Sequence, residues 1–502
     1  SFKDAIGYTK SQDKHTDRTD SITQVGSVLS GGSVTATSGR DTTITGSTVV
    51  ADQDISIDAG RNLSIVSAEN SVDSASASSS KKSGSIGSGF QPAVGTVKTA
   101  NDGTADSVTQ VGSQIASLNG DVTLKAGGKY TQTSSELTTP AGDITIVAKD
   151  VLINTAMNVN NSTDHMTYSK TAIGGTITSP VLEAAKSVGG MVKAAQGTSN
   201  SRMQALAALN VAATVAGMPT SMTGVMDAGL RVSISLGNSK SENTVVTTSN
   251  TVAGSTINAG GNVSITATGT GKDSNLTAIG SDITAGGNVL LSADNDVNLL
   301  AGENTASQHS TNKSSGASIG VGFGIGGTSN GFTIDLAVSK ARGKADGDDI
   351  GYTNTHVKAG NNVTVVSGGD TTLKGGVISA DSVVADIGGD LNIESLQDSS
   401  KFDSKQTSAG LNASLCIPPA CYGASTVGGS FSKSKVNGDF LSVLEQSGIK
   451  AGDGGFQVTV GGNTDLKGGL LSSSQVAIDQ GNNVLVTGSL TASDLQNKDE
   501  YS

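Results

Sequence analysis

The sequence predicts an all-β fold: a right-handed parallel β-helix of about 20–22 residues per coil, with projecting β-hairpins and one small helical hairpin. Three observations predict it. A short phrase recurs at near-constant spacing; the chain holds 67 Gly but only 6 Pro; and aromatic residues make up 3% of 502, with no Trp. Large side chains fill compact cores, so their scarcity points to a thin core of small and β-branched residues in an elongated molecule. Alternating Val, Ile, Leu and Thr separate the chain from a disordered Gly/Ser linker, because alternation buries one face of a strand.

The phrase is a small residue, Gly, a variable position, Asn or Asp, then an apolar–polar–apolar triplet. It reads Ala59-Gly60-Arg61-Asn62-Leu63-Ser64-Ile65, then Ala259 to Ile265, Ala285 to Leu291 and Ala359 to Val365. Asp41 to Asn62 is 21 residues, Asp121 to Asp143 is 22, Asp370 to Asp390 is 20 and Asn463 to Asn483 is 20. Each period is expected to be one coil, with Leu63 and Ile65 pointing inward. Gly is expected to supply the positive φ of a sharp corner, and Asn or Asp to hydrogen-bond along a stacked ladder. Coils are expected over about 1–75, 105–165, 245–308, 350–400 and 443–502. That is about 15 coils, a rod on the order of 70 Å long.

Between these blocks lie insertions at about 76–104, 166–244, 309–349 and 401–442. Each is entered through a lysine beside Ser or Asn, at Lys81, Lys170, Lys313 and Lys405, and three are left through Lys240, Lys340 and Lys433. The third alternates through Ile319, Val321, Phe323 and Ile325, turns, and returns through Phe332, Ile334, Leu336 and Val338. These are expected to be β-hairpins. In the second, residues 180–229 are expected to form a helical hairpin, with Met191, Val192, Met203, Leu206, Leu209 and Val211 as candidate membrane-active positions. Two readings stay open: the hairpins lie on the rod with lysines guarding exposed edges, or their apolar faces engage a membrane.

Cys416 and Cys421 flank Pro418-Pro419, so a disulfide closing a Pro-Pro turn is expected, with metal binding the alternative. A metal site would need further soft ligands, yet the 4 His are scattered. No cofactor motif, nucleophile elbow or phosphate loop is present. The net charge of −12 and the lack of a basic run exclude nucleic acid as a partner. Ser1 opens no signal peptide, so the sequence is expected to lie inside something longer or to lack its targeting segment.

These repeats resemble the haemagglutinin repeats of two-partner-secreted exoproteins. The phrases Glu394-Ser395-Leu396-Gln397-Asp398, Pro418 to Gly423, Ala451 to Phe456 and Leu490 to Lys498 are similar to that family's second repeat region. The resemblance implies export through an outer-membrane partner transporter to the surface of a Gram-negative bacterium. In contact-dependent growth inhibition effectors of the CdiA type, it implies a non-enzymatic stalk and translocation region that helps deliver a C-terminal toxin of the same polypeptide. Its target would be the outer membrane of a neighbouring cell, or that membrane's proteins. The alternative it implies is the shaft of a filamentous haemagglutinin-type adhesin.

Overall fold

The computed structural model describes residues 8–86, 92–178, 230–325 and 329–502. Within them the strands form two parallel sheets and one antiparallel sheet. The parallel strands wind as a nearly closed solenoid of rungs with three strands each; Gln114–Ser117, Val122–Ala126 and Lys129–Thr133 make one such rung.

Like residues stack on like because the register is kept from rung to rung along the central file. Ile57 lies over Leu124, which lies over Ile146, followed by Ile265, Leu291 and Val365. All six are essentially inaccessible to solvent. They are the inward positions of the triplets, and the core is a narrow column of several such files running along the axis. Each such side chain contributes roughly 1.5–3 kcal/mol by leaving water. Tyr130 is the one large aromatic among the fully buried side chains of the described residues.

At the third corner Gly46, Gly280, Gly375 and Gly468 take the expected positive φ, but the glycines of the recurring phrase, at the other two corners, work differently. Gly60, Gly260, Gly286 and Gly360 do not adopt positive φ. They are glycine because backbones touch: a Cβ on Gly286 would lie 2.2 Å from the carbonyl oxygen of Gly260, and one on Gly360 would lie 2.1 Å from that of Gly286. The Asn/Asp ladder does form, at two of the three corners. Asp54 accepts from the backbone N–H of Asp121, Asp121 from that of Asp143, Asp143 from that of Asn262, and Asn262 from that of Asn288. A second ladder joins Asp296, Asp370, Asp390 and Asn463. The third corner carries a ladder of hydroxyls: the N–H groups of Ser113, Ser135, Ser255 and Ser281 donate to the side chains of Ser135, Ser255, Ser281 and Thr355. Each rung thereby satisfies backbone donors that a bend would otherwise leave unpaired.

All four hairpins leave from this third corner. Hairpin I is Ala68–Ser85 with Ala93–Val111, hairpin II Ala156–Thr178 with Leu230–Ala253, hairpin III Gly302–Ile325 with Ser329–Thr353, and hairpin IV Asp398–Gly423 with Thr426–Ser442. They do not lie singly on the rod. Each pairs with the next, and with Thr9–Ile22 and Lys498–Tyr501 at the ends, to give one ten-stranded antiparallel sheet. Two rungs separate successive hairpins. Two rungs rise by about the same distance as two paired strands, since both spacings are about 4.8 Å. The sheet therefore runs in step with the solenoid.

This arrangement shortens the rod. Among the described residues there are ten rungs, not about 15, so the solenoid is roughly 43 Å long. The hairpins begin at Ala68, Ala156, Gly302 and Asp398, earlier than the sequence boundaries. Their solenoid-proximal halves are Ser/Thr/Asn-rich alternating segments that read like rungs. Asn463 and Asn483 are also not stacked: Thr464 pairs with Leu490, because the helix Gln475–Gln480 is inserted in the last rung.

Candidate membrane-engaging sheet

Far from the solenoid the antiparallel sheet is amphipathic. Residues directly opposed on neighbouring strands share a face, and the register lines up Val94, Ile173, Leu236, Ile319, Leu336, Ala413 and Val427 in one row across seven strands. Beside it on the same face run Ile234, Val321, Ile334 and Leu415, then Val232, Phe323 and Phe332. On the solenoid side Val338 opposes Leu411. The rings of Phe323 and Phe332 sit 5.0 Å apart, tilted.

Most of these side chains are exposed, from 37% at Ile334 to 69% at Val427, and Ala413 and Leu415 are half-buried. Contiguous apolar surface on this scale marks an interaction site. The structure thus brings together Ile319, Val321, Phe323, Phe332, Ile334, Leu336 and Val338. Ile325 pairs with Leu230 in the backbone register. The expected helical positions Met191, Val192, Met203, Leu206, Leu209 and Val211 lie outside the described residues.

The opposite face is built from small residues such as Ser235, Ser318, Gly320, Gly322 and Thr333. At Gly320 a Cβ would lie 2.6 Å from the carbonyl oxygen of Ile234. The Gly-x-Gly alternation thus lets strands approach on one face while the other keeps its large apolar groups.

Cys416 and Cys421 are joined, with S–S 2.03 Å and Cα–Cα 5.1 Å. They do not make the hairpin turn. Thr333 pairs with Cys416 and Gly331 with Cys421, so residues 417–420 are looped out of the strand as a bulge. The strand then continues to Gly423 and the return begins at Thr426. Cys421 is buried, and Thr333 beside Cys416 is 2% exposed.

Most of the lysines do not guard free edges, because most hairpin edges are paired; Lys433 alone of those named lies on the unpartnered 427–436 edge. Lys81 opposes Lys98, and the same row carries Lys240 and Lys340. Nearer the solenoid, Asp346 is held below the usual carboxylate range by hydrogen bonds from Lys344 and then His309. Among the described residues no three His, Cys, Asp or Glu gather as a metal site, and no helix is long and apolar enough to cross a membrane.

Residues 4–85 and 234–409, just over half of the chain, match the hemagglutinin repeat family. The chain is 36% identical over 99% of its length to a tRNA nuclease CdiA of Escherichia coli strain NC101, of which it spans 15%. It is 34% identical over 99% of its length to a 16S rRNA endonuclease CdiA of Enterobacter cloacae, again spanning 15%, and 33% identical over 94% to a deoxyribonuclease CdiA of Yersinia pseudotuberculosis, spanning 44%. Those activities are named for the whole proteins. No solved structure gives a significant match. With its stacked Gly-x-Asn corners and regularly spaced hairpins, the chain belongs to the hemagglutinin-repeat family, as a CdiA-type repeat region.

Proposed function

We propose that this region is a non-enzymatic stalk and translocation segment of a secreted contact-dependent growth inhibition effector. It is exported through an outer-membrane partner transporter to the surface of a Gram-negative cell, and helps a C-terminal toxin of the same polypeptide cross the target-cell outer membrane. The similarity to CdiA proteins supports the setting. The observation that carries the reading is the apolar row crossing seven strands on one face of the hairpin sheet.

The solenoid supplies reach and rigidity. We take its sense to be right-handed, as parallel strands joined by crossovers favour. The sheet supplies contact. Its interior strands have both edges hydrogen-bonded, so the apolar face enters a bilayer without exposing backbone polar groups. The outer side of Thr9–Ile22 and the edge at 427–436 have no strand partner among the described residues. The open sheet therefore meets a membrane with one face, and crossing it requires both edges to be closed.

A second reading, the passive shaft of an adhesin, is favoured by the step-for-step pairing of sheet and solenoid, which stiffens the rod. Vesicle flotation of the purified chain separates the two. Delivery predicts association with phosphatidylcholine vesicles that falls at least about fivefold in Val321→Asp/Ile334→Asp, roughly the loss expected for two half-exposed aliphatic side chains. Absence of association with any vesicle would leave the shaft reading.

A further inference from the structure

Next to the apolar zone, on the same sheet face and nearer the solenoid, lies a cleft of about 690 Å³. Lys81, Lys98, Lys240, Lys313, Lys340 and Arg342 line it, with Lys14 at one end and Glu242 as its single carboxylate. The cations come from five different strands and are assembled by register alone. Lys81, Lys98, Lys240 and Lys340 form one row, four residues along each strand from the row of Val94, Leu236 and Leu336. Lys313 and Arg342 oppose each other in the next same-face row, with Glu242 opposite Lys313 on its other side.

A second, smaller cationic row, Lys344, Lys405 and Lys435, crosses the last hairpins, but there Lys344 reaches Asp346. The net charge is −12, and several lysines elsewhere find acids: Lys374 and Lys467 both reach Glu394, and Lys498 reaches Asp439. Among the described residues, none of the six cleft cations makes an ion pair, and all are exposed. Like charges directly opposed across strands, as at Lys81 with Lys98, repel each other and destabilise the sheet. An anion supplied from outside removes that repulsion.

We infer that the cleft binds the phosphate headgroups of an anionic lipid surface, with the adjoining apolar rows taking the acyl chains. Resting on the membrane-engaging reading above, the inference names the lipid chemistry that the sheet selects. Cations at the edge of an apolar belt, on one face and about 13 Å along the strand, match the order of headgroup and hydrocarbon in one leaflet. The long lysine stems span the interval. Phosphates then replace the missing carboxylates, and the contact is salt-sensitive.

The test uses the full 502-residue chain and two kinds of vesicle: phosphatidylcholine alone, and phosphatidylcholine mixed with phosphatidylglycerol. The expected result is at least about tenfold tighter binding to the mixed vesicles, lost at high salt. The variant K98Q/K240Q/K340Q/R342Q should lose that preference while binding phosphatidylcholine as the parent does, which also shows that it is folded. Equal binding to both vesicles, or an unchanged preference in the variant, overturns the inference and leaves membrane engagement standing. Binding to neither vesicle overturns both. Displacement from mixed vesicles by a single-stranded oligonucleotide at equal phosphate concentration would mark a general polyanion cleft and overturn the assignment to lipid.

Discussion

The hydroxyl of Tyr130 donates to the side-chain carbonyl of Gln132 at 3.0 Å, and both residues are fully buried among aliphatic side chains. Gln132 in turn donates to the carbonyl oxygens of Ser135 and Thr256, tying two rungs together. Tyr130→Phe removes the donor and leaves the Gln132 oxygen unsatisfied. The expected cost is about 1–3 kcal/mol, read from chemical denaturation. Burial holds the Tyr130 phenol far above its ordinary range. A raised folded-state value is stability present below the unfolded value and lost as pH climbs past about 10. Stability should therefore fall more steeply at alkaline pH in the parent than in Tyr130→Phe.

Gly286 and Gly39 both stand at corners, but only Gly286 meets a carbonyl where its Cβ would be; nothing lies within 4 Å of Gly39. Gly286→Ala is expected to destabilise the solenoid by about 1–3 kcal/mol through overpacking. Gly39→Ala should be neutral within about 0.5 kcal/mol or slightly stabilising. Equal effects in thermal melts would remove close approach as the reason for the glycine phrase.

Arg61 donates to the carboxylate of Asp41 in the rung before it, with its Nε at 2.7 Å. That hydrogen bond, with help from the backbone N–H of Asn62, holds Asp41 at about 2. A depressed carboxylate contributes stability above its unfolded value of about 3.9, and the contribution disappears as pH falls toward about 2. Carbon-detected NMR titration should place the Asp41 midpoint near that value, and Arg61→Gln should move it upward. The stability gap between parent and variant should close as pH drops through that window.

The Cys416–Cys421 bond closes a bulge far from the solenoid. Cys416→Ser/Cys421→Ser should leave the main unfolding transition within a few degrees of the parent. Amide exchange should accelerate between Leu411 and Val427, where the strand loses its staple. A large drop in the main transition would mean that hairpin IV and the rungs unfold together.

The repeat phrase made the rungs legible, because inward aliphatics and Asn/Asp corners recur in sequence. The reason for its glycines was not legible. Gly360 is constrained by Gly286, a stacking neighbour 74 residues away. The ladder through Ser113, Ser135, Ser255 and Ser281 was hidden for a plainer reason, since serine fills the hairpins as well. The alternation from Ile319 to Val338 showed a hairpin but not its neighbours. The lysine row needs the register of several hairpins before Lys81, Lys98, Lys240 and Lys340 become one feature.

Because two rungs advance by the same distance as one hairpin, the molecule has an indivisible unit of growth. Deleting a single rung would leave the flanking strands out of phase by about 4.8 Å. Homologues that are longer or shorter should then differ by whole blocks, each a rung pair together with its hairpin, and recombination within a block should yield chains that cannot close both lattices at once.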